Sequence, residues 1–342
     1  MKPDKGFGKG AQSDMVTIAA VVVTYNRLAL LQQGIDCLLA QKLSSDAALD
    51  ILIIDNASTD GTGEALAGRV KVGEIRYFNT GANLGGAGGF NWGMRQAVQD
   101  GYDFVWIMDD DCQPHEDALQ ALLDADEALG DAYGYLSSVV RWTDGSICRM
   151  NVQRHPLTKD IEDFSKDLQP CTLASFVSLF VPSRVIMDVG LPIKDFFVWS
   201  DDWEFTRRIS RRYRCYLVGR SIVTHASKVN GKGTIVDCDP SRIDRYKLIY
   251  RNDVVIYRRE GVRGRCYLLA RAGHHIAQVL LHSPEDKRKK IGIIVRSNLD
   301  GMRFHPAVEV IDPADVRPVA EGRLASQEMN VYPQMHEGLG SV

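Results

Sequence analysis

Three consecutive carboxylates, Asp109, Asp110 and Asp111, are the residues of this sequence with the clearest chemical potential. They follow a mostly apolar run over residues 104–108 that is typical of a buried strand, and Pro114 is expected to block any continuation of regular pairing. Because adjacent negative charges repel one another, we interpret the triplet as a divalent-cation site at a strand's carboxyl end. Carboxylate oxygens suit Mg²⁺ or Mn²⁺, which is often completed by substrate phosphates. A solvated acidic turn is the alternative interpretation.

A second pair of acids, Asp201 and Asp202, lies in an aromatic segment over residues 195–208. Both are expected at or just before a helix N-terminus, where free N–H groups favour carboxylates. A capping role accounts for one of the pair and leaves the other free. A carboxylate among aromatic side chains such as Trp199 and Trp203 is a candidate general base, and aromatic faces stack on sugar rings.

Polar turns with the chemistry of a nucleotide site follow the earlier apolar runs. Asp55 could accept hydrogen bonds from a ribose hydroxyl or a base N–H, and Asn26 and Arg27 could flank a base or a phosphate. A turn or N-cap role is the alternative for Asp55. The glycine cluster over residues 85–89, at the start of a predicted helix, would leave backbone N–H groups facing a ligand, although a flexible loop would look the same.

His225 follows an apolar strand that is expected to end on the same side as the acids. We weigh a metal-ligand role for it equally with a structural one. The basic, glycine-containing loop over residues 227–234 could close over phosphates.

Strands and helices must alternate to place these side chains together. They do so four times between residues 16 and 111, with a polar turn after each strand. This alternation predicts an α/β fold with a mostly parallel central sheet, helices on both faces, and ligands beyond the carboxyl ends of the strands. The strands of these units are predicted over residues 16–23, 50–54, 74–78 and 104–108.

Beyond residue 114 the pattern is less regular. Glu204 and Arg208, four residues apart in a predicted helix, are expected to form an ion pair. The other predicted elements are strands over residues 135–142 and 172–181, two short strands within 215–224, a loop over 144–169, and helices over 241–304.

These elements divide the chain into a disordered N-terminus (1–15), a catalytic domain (16–240), a helical subdomain (241–305) and a tail (306–342). The net charge of −3 argues against bulk attraction to nucleic acid. The seven scattered cysteines, without a CxxC pair or zinc-ligand spacing, fit a reduced cytoplasmic setting. We found no apolar core of a secretion signal and no window with the ~18 apolar residues of a membrane span.

Together, the motifs resemble the inverting GT-A glycosyltransferases of family 2, and more closely the galactofuranosyltransferases within it. The acidic strand and the first turns are shared across that family, so they specify a nucleotide-sugar enzyme but not its sugar. The combination of NLGGAGGF, the triple Asp and the WSDDWE block is narrower and resembles galactofuranose transfer, with bacterial rhamnosyltransferases as the close competitor. The segments are VVVTYNR (21–27), IIDNASTDGT (53–62), NLGGAGGFNWGM (83–94), YDFVWIMDDDCQP (102–114), FFVWSDDWEFTRR (196–208), the strand-end His225 and YKLIYRN (246–252).

The resemblance implies the GT-A fold and a role for individual residues. Asp202 would be the base that takes a proton from an acceptor hydroxyl as that oxygen displaces UDP with inversion. The implied binding residues are Thr24, Asn26, Arg27 and Asp55 for uridine; Asn83, Gly85, Gly86, Asp109 and Asp110 for the rest of the donor; Asp109, Asp111 and His225 for Mn²⁺ or Mg²⁺; and Trp199, Asp201 and Trp203 for the acceptor.

The expected reaction is transfer of galactofuranose from UDP-galactofuranose to a lipid-linked cell-surface glycan. The alternatives are a dTDP-rhamnose-dependent transferase, a nucleotidyltransferase, and a sugar-binding module without catalysis. A nucleotidyltransferase would need an early basic loop, and residues 16–60 offer only Arg27 and Lys42. The chain is short beside the large polymerising mycobacterial members, which favours addition of one or a few sugars.

Basic residues crowd the predicted C-terminal helices. One interpretation is a solvated helical subdomain; the other is an appendage that contacts a membrane surface or a second copy and brings the enzyme to a lipid-linked acceptor. We therefore expect a cytoplasmic protein with peripheral contact to the inner face of the cell membrane.

Overall fold

The computed structural model describes residues 15–130, 132–231 and 233–317 and the backbone of residues 330–331. Residues 1–14, for which disorder is expected, and residues 318–329 and 332–342 of the expected tail lie outside the described part of the chain.

The first half of the sheet is parallel and is built as the sequence predicts. Its central strand, β1, has alternate residues in two different apolar clusters, with Val21 on one face and Val22 on the other, which explains its unbroken apolar run. The strands are β1 (Val16–Thr24), β2 (Ala47–Asp55), β3 (Arg76–Asn79) and β4 (Phe104–Asp109), in the order β3-β2-β1-β4, and the helices between them are α1 (Leu28–Leu39), α2 (Thr62–Lys71) and α3 (Gly85–Gln99).

The second half makes the sheet mixed. From β4 the order continues β8-β6-β9-β5, with antiparallel pairs at β4–β8, β8–β6 and β9–β5 and a parallel pair at β6–β9. The elements are β5 (Cys112–Pro114), α4 (Ala118–Leu129), β6 (Tyr133–Trp142), β7 (Leu168–Pro170, paired with β9), β8 (Leu179–Pro182), α5 (Ser183–Val189), α6 (Asp201–Ser210) and β9 (Arg214–His225).

Three predictions about these elements were wrong. Pro114 does not stop pairing, because it ends β5 at the edge of the sheet, where a missing N–H is tolerated. Only the end of the apolar run over 172–181 is a strand; the rest is buried but irregular. Residues 215–224 belong to one long strand, because the polar residues in its middle are absorbed by an irregularity in its pairing with β6.

The predicted C-terminal helices are present as α7 (Tyr246–Arg258), α8 (Gly261–His282) and α9 (Lys287–Arg303). They share an apolar cluster that includes Tyr250, Val279 and Ile293. Within the described residues, no helix has both the length and the hydropathy that a membrane span requires.

The segment after α9 packs back onto the α/β part of the molecule. Glu309 bonds to Arg95 of α3 (3.1 Å) and to Lys194 (2.8 Å), and Ile311 is buried. Residues 330–331 form a short strand, β10 (Asn330–Val331), beside β3.

Candidate active site

The acidic triplet lies at the carboxyl end of β4, where the three carboxylates have different surroundings. Asp110 accepts a hydrogen bond from the Thr24 hydroxyl (2.9 Å) and one from Arg27 (3.2 Å). Arg27 also bonds to Asp111 at 2.6 Å. Among the described residues, none donates a hydrogen bond to the Asp109 carboxylate or forms an ion pair with it. Arg27 and Thr24 therefore compensate part of the charge and leave Asp109 available.

Burial governs the protonation of these acids. It raises the pKa of Asp109 to about 7, with the charge of Asp111 adding to the effect, and it raises the pKa of Asp110 to about 6 although Arg27 opposes it. Burial acts in the same direction on Asp111, but the hydrogen bond and charge of His225 outweigh it and lower the pKa of Asp111. The site thus carries more negative charge than its protein cations balance.

Asp109, Asp111 and His225 lie together at this end of the sheet. Each offers one ligand atom, and these atoms lie within 4.8 Å of one another; His225 Nε2 is 3.0 Å from Asp111 Oδ1. Two carboxylates and one imidazole are a donor set that fits Mn²⁺, and Mg²⁺ less well because of the nitrogen. The Asp109 carboxylate, which accepts no hydrogen bond from the described residues, is available as a ligand for such a cation. When bound, such a cation would neutralise negative charge on a substrate diphosphate.

Asn151 holds the imidazole in place. Its amide Oδ1 lies 2.8 Å from His225 Nδ1, and its Nδ2 donates to Ser175 Oγ at 3.1 Å. Because Oδ1 can only accept, His225 Nδ1 donates to it, and Nε2, which lies 3.0 Å from Asp111 Oδ1, is the atom that would bind a cation. Sequence reasoning missed Asn151 because it lies in the stretch expected to be a loop.

Asp201 and Asp202 open α6, as the sequence predicts. Asp201 is buried at the first position of α6, and the residue at the cap position, Ser200, makes no side-chain capping hydrogen bond, so the expected cap is not seen. Asp202 is half-buried and accepts from the Trp203 N–H at 2.7 Å. Burial, with the charges of Asp201 and Asp109, raises the pKa of Asp202 well above its ordinary value. Asp202 therefore lies within electrostatic reach of the acidic triplet.

The turn before α6 contacts the glycine cluster. Gly85 has φ +70°, and a Cβ on it would lie 2.1 Å from the Phe197 carbonyl oxygen, so only glycine fits. The Ala87 N–H donates a hydrogen bond to the same Phe197 carbonyl oxygen at 3.1 Å. The predicted donor loop and the segment that carries Asp202 are thus neighbours.

The other residues assigned to the donor lie along the same edge, but most of their polar atoms bond within the protein. The Asp55 carboxylate is fully buried and accepts from the Ser58 N–H (2.8 Å) and the Tyr77 hydroxyl. Asn26 accepts from the Thr59 N–H, and Asn83 from the Gly85 N–H.

Arg27, also assigned to the donor, has a side chain that is 50% exposed. Of the residues assigned to the acceptor, Trp199 packs edge-on against Tyr246, and the Arg154 guanidinium lies 4.2 Å above the Trp203 ring.

Comparison with known proteins gives a match to the family model "Glycosyl transferase family 2" over residues 19–172. The galactofuranosyltransferase GlfT1 of Mycolicibacterium smegmatis is 27% identical over 202 residues, which are 57% of this chain. The chain spans 65% of the length of that relative.

Two solved structures share the fold. One is GalNAc-T7 with UDP, GalNAc and Mn²⁺ (14% identity, TM-score 0.55, covering 83% of this chain and 55% of that one). The other is the Pyrobaculum calidifontis mannosyltransferase PcManGT with GDP-Man and Mn²⁺ (18% identity, TM-score 0.51, covering 87% and 79%). The expectation of a GT-A fold is thereby confirmed.

Proposed function

The chain contains a glycosyl transferase family 2 domain, and from this premise we propose that it is a metal-dependent, inverting galactofuranosyltransferase. Its donor is UDP-galactofuranose and its acceptor a hydroxyl of a lipid-linked cell-surface glycan. The observation that carries the proposal is the cluster of ligand atoms from Asp109, Asp111 and His225, together with the hydrogen bond from Ala87 to Phe197 that joins the turn before Asp202 to the glycine-rich start of α3.

Asp202 acts as the general base in this proposal. Its carboxylate takes the proton of the acceptor hydroxyl, the acceptor oxygen forms a bond to the anomeric carbon, and the bond from that carbon to UDP breaks on the opposite face. UDP leaves with the electron pair, so the configuration inverts. Asp202 suits this role because its raised pKa makes it a stronger base than an ordinary aspartate.

Support for the donor comes from the galactofuranosyltransferase relative and from fold neighbours whose structures contain a nucleotide or nucleotide sugar with Mn²⁺. The cation is Mn²⁺ in preference to Mg²⁺, because His225 contributes a nitrogen ligand.

The experiment is incubation of the purified protein with a panel of UDP- and dTDP-sugars, Mn²⁺ and a synthetic lipid-linked galactoside. We expect transfer from UDP-galactofuranose, loss of transfer with a chelator, and at least a ~100-fold lower rate for Asp202→Asn with donor binding retained. Selective use of dTDP-rhamnose would show that the donor is dTDP-rhamnose and not UDP-galactofuranose. Full activity of Asp202→Asn would show that Asp202 is not the general base.

We propose that the C-terminal helices bring the enzyme to an anionic lipid surface. Over residues 261–303 the chain has nine Lys and Arg against three Asp and Glu, in a protein of net charge −3. The same helices expose large apolar side chains: Val262 (74%), Leu269 (75%) and Leu281 (72%) on α8, with Met302 (57%) on α9. Exposed apolar residues with flanking positive charge are the features of an interfacial helix.

Sedimentation with vesicles tests this location. We expect binding to vesicles that contain phosphatidylglycerol, weaker binding to phosphatidylcholine alone, and loss of binding in Leu269→Ser/Leu281→Ser. Concentration-dependent dimerisation that the same double variant abolishes, without vesicle binding, would assign the face to a second copy instead.

A further inference from the structure

The segment from Phe196 to Ser200, here called the base turn, has an unusual backbone. Phe197, Trp199 and Ser200 have φ values of 65°, 67° and 67°, in the left-handed region that residues with a Cβ rarely adopt. The base turn leads directly into α6: the Ser200 carbonyl accepts the Glu204 N–H at 2.9 Å and so sets the direction of the first helical turn. A backbone of this kind persists only where its surroundings hold it.

Asn252 of α7 holds the base turn from behind. Its side chain is fully buried, and its amide Nδ2 donates to three carbonyl oxygens, those of Phe196 (3.1 Å), Val198 (3.3 Å) and Trp199 (3.0 Å). The two hydrogens of this amide are shared among the three carbonyls, and the Phe196 carbonyl also accepts the Val198 N–H at 2.8 Å. Asn252 therefore bonds to the backbone on both sides of Phe197 and Val198.

Asp253, the next residue, holds the end of the same turn. It is buried, accepts the Ser200 hydroxyl at 2.6 Å, and is paired with Arg271 of α8. Adjacent residues of α7 thus fix the backbone before Ser200 and the side chain of Ser200 itself.

We infer that Asn252 and Asp253 are positioning residues that hold the base turn so that Asp202 faces the acceptor. The inference rests on the proposed function, in which Asp202 is the base. Neither residue needs to touch substrate, because the contacts of both are with the base turn and its supports. The need to hold the base turn explains why α7, which lies outside the glycosyl transferase family 2 match over residues 19–172, takes part in the site.

The test is a series of variants measured for kcat, KM for the donor, and thermal unfolding. Asn252→Ala can donate to none of the three carbonyls, so we expect kcat to fall by ~10- to 100-fold with donor KM within ~2-fold of the wild type. Ser200→Ala, a milder change that removes only the bond to Asp253, is expected to lower kcat by a few fold and covers the case in which Asn252→Ala does not fold.

The control is Asn91→Ala in α3. Asn91 is also buried and its amide donates to a main-chain carbonyl, that of Pro192 (2.8 Å), outside the base turn. We expect a lowered unfolding temperature there with kcat within ~2-fold of the wild type.

A double variant separates positioning from general stability. If Asn252 acts through Asp202, adding Asn252→Ala to Asp202→Asn causes no further loss of the residual rate. An equal loss in both backgrounds, or a loss in Asn91→Ala as large as in Asn252→Ala, would overturn the inference. Full activity of Asp202→Asn alone would instead refute the proposed function.

Discussion

The Ala87 N–H donates a hydrogen bond to the Phe197 carbonyl oxygen at 3.1 Å. This bond joins the glycine-rich start of α3 to the base turn, although the two residues are far apart in the sequence. The predicted donor loop and the proposed base therefore belong to one packed unit.

Gly85→Ala should disrupt that unit. The added methyl would meet the Phe197 carbonyl and would force an alanine into φ +70°, so we expect a loss of about 1–3 kcal/mol in the free energy of unfolding and a lower kcat. The measurement is urea unfolding together with initial rates. Gly68→Ala, an exposed position in the interior of α2 with no neighbour within 4 Å, is the control and should keep activity and gain up to about 1 kcal/mol in the free energy of unfolding. Equal behaviour of the two variants would contradict the role of Gly85.

Asn151→Ala should weaken Mn²⁺ binding by about 10- to 100-fold, because His225 loses the acceptor that fixes its ring. Calorimetric titration of Mn²⁺ in the presence of UDP measures this independently of turnover. Asn298→Ala, which removes an amide that bonds within α9, should leave Mn²⁺ affinity unchanged. Wild-type affinity in Asn151→Ala would show that Asn151 does not orient the ligand.

The rate of transfer should rise with pH on the acid side. A general base works only when ionised, and burial with the charges of Asp201 and Asp109 raises the pKa of Asp202, so its protonated form persists above the ordinary range of an aspartate. We expect log kcat to climb with a slope near one and then reach a plateau, measured with both substrates saturating. A kcat that stays constant down to the ordinary pKa of an aspartate would rule out this role.

Glu204→Gln should destabilise the fold. Glu204 is 2% exposed and pairs with Arg208, as the sequence predicts, and with Arg259 of the helical region. Removing its charge leaves two partly buried guanidinium groups without their carboxylate, and we expect a loss of about 2–4 kcal/mol in the free energy of unfolding. Glu116→Gln breaks an exposed pair with Lys42 and should have no measurable effect on urea unfolding. Similar midpoints for the two variants would refute the prediction.

The parts of the fold that could be predicted from the sequence are those in which the hydrophobic pattern of a segment matches its burial in the folded protein. β1 and β4 are apolar because both faces are covered, and the polar residues that end them must therefore meet at one edge. Asp109, Asp111 and His225 lie together, as expected of residues at strand ends on the same side of the sheet, although their role as a ligand set was implied by the family resemblance.

The parts that could not be predicted depend on contacts between distant segments. Asn151 meets His225 across 74 residues, and Asn252 meets Phe196 across 56, so neither has a spacing that marks its role. The apolar run over 172–181 looked like one strand because burial favours the same residues whether the backbone is regular or not. Asn252 lies in the YKLIYRN segment that contributes to the family resemblance, but its role became visible only from its burial and contacts in the structure.

The return of the chain after α9 bears on how shortened versions of this protein should be made. A fragment cut at residue 305 would strip the salt-bridge partner from Arg95 and Lys194 and uncover the apolar pocket that Ile311 fills, so it should aggregate on expression. A fragment that continues through Arg317, whose N–H donates to the Gln99 carbonyl, keeps these contacts with the α/β part of the molecule. It is therefore the better starting point for crystallisation.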